Sequence, residues 1–72
     1  MMIMKINNKE YIDKVNELRM LRKRLKLSLK QVGENLNISR SALSQFEAFR
    51  ATLSNENIKK YERLLEKIQT YR

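Results

Sequence analysis

The sequence has no cysteine, no histidine, no proline and no tryptophan, and Gly33 is its single glycine. Each absence excludes something. Without histidine and cysteine, the commonest general base, the commonest thiol nucleophile and the usual transition-metal ligands are missing. One glycine cannot build a glycine-rich phosphate loop. Asp13 is the only aspartate, and it falls in the first turns of an ordinary amphipathic helix. Glu62 and Glu66 stand one helical turn apart among Lys59, Lys60, Arg63 and Lys67, which reads as solvated helix surface and not as an acid–base pair. No enzyme, cofactor or metal is therefore expected. The absence of cysteine also removes disulfide staples and leaves the redox compartment open. No hydrophobic run is long enough to cross a bilayer. The apolar opening, residues 1–6, is too short for that or for a signal-peptide core. The expectation is a chain with no membrane partner, cytoplasmic and nucleoid-associated. With no proline and no serine-rich run, no linker or low-complexity segment is visible.

What is present is basic and helical. Sixteen Lys and Arg against 8 Asp and Glu give a net charge of +8, a surplus that attracts a polyanion. Charge alone fits any solvated basic protein, so arrangement has to decide. Arg19, Arg22, Lys23, Arg24, Lys26 and Lys30 follow one another with no intervening acid. A basic amphipathic helix could also lie on a membrane, but Glu10, Asp13 and Glu17 on the same stretch would repel anionic lipid. Seventy-two residues make one domain, residues 1–72, with a marginal core, because a chain this small buries only about 60% of its unfolded surface. A second copy would add burial.

Periodicity and caps divide the chain into helices. Asn7 with Glu10 offers a capping box for a first helix running to about Leu25, with Tyr11, Val15, Leu18, Leu21 and Leu25 at helical spacing. Ser28 with Gln31 is a second capping box, and Leu29, Val32, Gly33 and Leu36 share one face of the helix it opens. Asn37 falls at a sharp turn and tolerates the left-handed conformation. Ile38 plugs the corner, Ser39 caps a third helix, and Leu43 and Phe46 form that helix's apolar side. Gly33 is small enough to let two steeply crossed helices touch. Residues 28–47 thus read as a helix-turn-helix, preceded by an N-terminal arm over residues 1–7. Ser54 caps a last helix over about 55–70, with Ile58, Tyr61, Leu65 and Ile68 on one stripe. Leu64 and Tyr71 widen that stripe, either as scattered surface hydrophobes or, with Ile68, as a homodimer interface. The fold class is all-α, a small bundle of four to five helices.

The face of the third helix opposite Leu43 and Phe46 carries Arg40, Ser41, Ser44, Gln45 and Ala48. Arg can bridge the two acceptors of guanine, Gln can pair with the donor and acceptor of adenine, and Ser allows close approach. Ser28 and Ser39 each begin a helix, where free N–H groups and the positive dipole end favour a phosphate. Lys30 in the first turn of the second helix and Arg50 beyond the third are further candidate phosphate contacts.

The run LRKRLKLS, the NIS turn and the SQFE ending resemble the lambda-repressor and Cro-like (XRE-type) family, over residues 18 to about 68. The match rests on the joint spacing of Ser28, Gly33, Ile38, Ser39, Leu43, Phe46 and Glu47. The resemblance implies base reading from Arg40, Ser41, Ser44 and Gln45, and an ion pair between Arg22 and Glu47 that orients the reading helix. It implies a transcriptional regulator, most simply a repressor of phage or mobile-element type, binding double-stranded DNA as a homodimer on a pseudo-palindrome. Four positions depart from the family: Leu29 and Leu53 replace its usual Gln and Pro, while Asn37 and Phe49 replace glycines. Two alternatives stay open. One is the same fold holding a protein partner, as an antitoxin or an inhibitor of a nucleic-acid enzyme. The other is a binder with no sequence preference.

Overall fold

The computed structural model describes residues 8–71, and among these it holds four helices and no strand. They are α1 (Asn8–Arg24), α2 (Leu29–Leu36), α3 (Arg40–Glu47) and α4 (Asn55–Tyr71). The cap expected at Asn7 and the arm over residues 1–7 lie outside the described residues.

The core is one cluster in which every helix takes part. Val15 and Leu18 of α1 and Leu25 just beyond it meet Val32 and Leu36 of α2, Leu43 and Phe46 of α3, and Tyr61 and Leu65 of α4. Three rings run through its centre. Phe46 stands edge-on to Tyr11 (centroids 6.3 Å apart, planes at 83°) and tilted against Tyr61 (6.3 Å, 51°). Such edge and tilted contacts suit the ring quadrupoles better than face-to-face stacking. Lys14 of α1 and Glu62 of α4 form an ion pair across the two longest helices.

On α1 the buried stripe runs through Val15, Leu18 and Arg22, with Tyr11 half-buried above it. Leu21, expected on that stripe, is only half-buried, and Arg22 occupies the inner position. The helix ends at Arg24, one residue before Leu25. Its last turn closes in a Schellman pattern: Lys26 N–H donates to the Lys23 carbonyl at 3.0 Å and Leu27 N–H to the Arg22 carbonyl at 3.1 Å. That closure needs a left-handed residue, and Lys26 supplies it at φ 61°. α3 ends the same way. Phe49 N–H donates to Phe46 O at 3.1 Å, Arg50 N–H donates to Gln45 O at 2.8 Å, and Phe49 itself sits at φ 63°. Glycine is the usual residue at such a position, because side chains make the left-handed region costly.

The chain's one glycine is needed elsewhere. A Cβ on Gly33 would lie 2.5 Å from the Ile38 carbonyl oxygen, against 3.4 Å from Leu43 Cδ1. The tightest contact is therefore the backbone of the turn itself, and the approach of α3's side chains comes second. Asn37, at φ 59° and ψ 43°, bends the chain back so that Ile38 N–H reaches the Gly33 carbonyl at 3.0 Å. A larger residue at 33 would push the turn away and tilt α3 with it.

Candidate nucleic-acid interface

Three hydroxyls fix where the helices start. Ser28 Oγ accepts from Gln31 N–H at 3.0 Å while Gln31 Oε1 accepts from Ser28 N–H at 2.8 Å, a reciprocal capping box on α2. Ser39 Oγ accepts from Ala42 N–H at 3.0 Å on α3, and Ser54 Oγ from Asn57 N–H at 3.1 Å on α4. The left-handed Asn37 stops α2 and the Ser39 cap restarts α3 within three residues, which sets the angle of α3 against α2.

The inner end of α3 is tied down by a buried polar junction. Arg22 Nε donates to Glu47 Oε2 at 2.9 Å and Nη2 to Oε1 at 2.8 Å, a two-pronged pair between the ends of α1 and α3. Arg22 Nη1 donates to the Leu27 carbonyl at 2.8 Å, holding the α1–α2 loop to the same point. Tyr61 of α4 donates its hydroxyl to Glu47 Oε2 at 2.5 Å. Burial pushes the Tyr61 phenol well above its usual range, and the adjacent carboxylate pushes it further, so it stays a donor. Burial alone would lower the Arg22 guanidinium, but Glu47 outweighs that and holds it above its ordinary value. One carboxylate thereby accepts three hydrogen bonds from two other helices. Tyr61 reads in the sequence as a plain member of the α4 stripe, and no local pattern marks its hydroxyl as Glu47's partner.

The outer side of α3 is the opposite. Arg40, Ser41, Ser44 and Gln45 are all exposed, and none of their side chains hydrogen-bonds another described residue. They line one depression of about 500 Å³ together with Leu29 from the start of α2. Arg40 also borders a second depression, of about 300 Å³ around the α2–α3 turn, shared with Lys30 and Ser39. A third, of about 390 Å³, brings Arg19 and Lys23 of α1 beside Leu29, Ser44, Ala48 and Phe49. Arg19 and Lys23 belong to the unbroken basic run, which was the available signal, but their place beside the outer face of α3 follows only from the packing of α1. By spacing, Leu29 belongs to the apolar face of α2. It is half-buried at the edge of that face and opens onto α3's outer side.

Ser28 stands exposed at the start of α2, and Arg50 is exposed just past α3. The three candidate interface residues on α4 are not alike. Leu64 and Ile68 pack in part against the core, so they are not free surface hydrophobes, whereas Tyr71 is 81% exposed. No helix among the described residues is long and apolar enough to cross a membrane.

A scaffold of this geometry can present a rigid helix with unpaired donors and acceptors to the edges of base pairs, flanked by cations for phosphates. Comparison with known families agrees with that capacity: the model of a family described as Helix-turn-helix matches residues 18–68. No significant match exists among curated proteins or among solved structures. The chain belongs to the XRE, lambda-repressor-like helix-turn-helix family, a family of regulators that bind double-stranded DNA.

Proposed function

We propose that this chain binds double-stranded DNA sequence-specifically, with α3 in the major groove, and represses transcription by occupying a promoter, in the manner of a phage or other mobile-element regulator. The observation that supports base reading is the outer face of α3, whose polar side chains are unpaired among the described residues. Arg40, Ser41, Ser44 and Gln45 keep their hydrogen-bonding groups for a ligand, while the opposite side of the same helix is fully committed to the protein. Ser28, Lys30, Ser39 and Arg50 grip flanking phosphates in this reading, and the net charge of +8 supports such a grip. A homodimer through Tyr71, with Leu64 and Ile68 behind it, sets two half-sites on a pseudo-palindrome, and the exposure of Tyr71 supports that contact.

Selection from a random-sequence duplex pool, followed by affinity measurements on the selected site and a scrambled one at the same salt, tests the reading. A preference of at least about 1,000-fold is expected of a specific regulator. Equal affinity for the two would remove base reading and leave the fold as a module for a protein partner.

A further inference from the structure

The depression that Arg40, Ser41, Ser44 and Gln45 line on the outer side of α3 is polar except at one place, the Leu29 side chain from α2. Leu29 borders the depression with Arg40, Ser41, Ser44 and Gln45 on one side, and the one with Arg19, Lys23, Ala48 and Phe49 on the other. It therefore stands beside Ser44, inside a surface rimmed by three cations. Its other side packs against the core, so it cannot swing away from whatever approaches.

A leucine fixed there constrains the ligand. It has no donor or acceptor, and a polar base edge pressed against it loses water without gaining a partner. Among the base-pair edges in the major groove, one apolar group is available, the 5-methyl of thymine. We propose that Leu29 is a specificity-determining residue that reads a thymine by contact with its 5-methyl group, next to the bases read from α3. The inference rests on α3 entering the major groove and deepens that reading by naming one base of the half-site and the chain's means of recognising it. Because the residue comes from α2, the base it reads lies beside the row addressed by α3, and the turn geometry set by Gly33 and Asn37 fixes the distance between the two.

The test replaces each thymine of the selected site, one at a time, by deoxyuridine, which keeps every hydrogen-bonding group and lacks only the methyl. One position per half-site should weaken wild-type binding by about fourfold, the value of burying one methyl group. Leu29→Ala should bind thymine and uracil equally at that position, while any other methyl-sensitive positions stay sensitive. Should Leu29→Ala fail to fold, Leu29→Gln keeps the length and must show the same loss of discrimination. A wild-type protein indifferent to every thymine-to-uracil change would overturn the proposal, and so would a methyl-sensitive position that survives the loss of Leu29. Both outcomes leave a strong preference for the selected site and thus leave base reading by α3 standing. Absence of any preferred site would overturn both together.

Discussion

α3 shows two faces that obey opposite rules. On the inner face Leu43, Phe46 and Glu47 are buried, and the Glu47 carboxylate accepts bonds from Arg22 and Tyr61. On the outer face four polar side chains have no hydrogen-bond partner among the described residues. Eight residues of helix cannot hold a fixed orientation alone, since isolated helices so short are unstable in water. The contrast teaches how a domain with a marginal core holds a short helix rigid: polar bonds are concentrated on the face that fixes the helix, and the outer face is left exposed. A buried ion pair adds little net stability once desolvation is counted, so orientation is its better-supported role.

Breaking the inner face should have the largest effect. Glu47→Ala leaves the Arg22 guanidinium buried without its counter-charge, and a loss of about 3–5 kcal/mol is expected in chemical denaturation. A loss below about 1 kcal/mol would mean that the junction is not buried in solution. Gly33→Ala comes next. Alanine is the better helix former by about 1 kcal/mol, yet its Cβ meets the Ile38 carbonyl, and overpacking of this kind costs about 1–3 kcal/mol. Net destabilisation is expected, and a raised melting temperature would show that the turn can move aside.

The two tyrosines flanking Phe46 sharpen the comparison. Tyr61 donates to a charged acceptor, so Tyr61→Phe should cost about 1.5–3 kcal/mol. Tyr11 Oη is buried with no hydrogen-bond partner among the described residues, and Tyr11→Phe should leave stability unchanged or raise it by about 1 kcal/mol. The pH dependence follows from the same contact. The folded chain holds the Tyr61 proton above its ordinary pKa of 10.0, whereas the unfolded chain releases it there. This contribution is complete below about pH 10 and is lost as the pH rises further. In Tyr61→Phe the alkaline decline should be shallower by up to about 1.4 kcal/mol per pH unit. An identical decline in both proteins would place that hydroxyl in water.

Local signals made the helix-turn-helix readable. The Ser28–Gln31 capping box lies within three residues, Ser39 repeats the device, and Gly33, Asn37 and Ile38 form a recognisable corner. Partners distant in sequence left no such mark. Glu47 and Tyr61 are 14 residues apart on different helices, and only the packing of α4 brings them together. Lys26 takes left-handed backbone without the glycine that announces it, so the closure of α1 leaves no mark in the sequence, whereas Phe49 stands where the resembled family has glycine. Leu29 obeys the apolar spacing of α2, and only the crossing of α2 and α3 puts it on the edge of the outer face.

The claim that α3 reads bases while its surroundings grip phosphates is tested most directly by comparing four variants on the selected site and on scrambled DNA across a salt series. Arg40→Ala and Gln45→Ala should each lose about 1–3 kcal/mol on the selected site, concentrated at one base pair of the half-site, with binding to scrambled DNA nearly unchanged. Lys30→Ala and Arg50→Ala should weaken both DNAs alike and reduce the slope against log salt by about one. Equal losses on selected and scrambled DNA for Arg40→Ala and Gln45→Ala would contradict base reading by the outer face of α3.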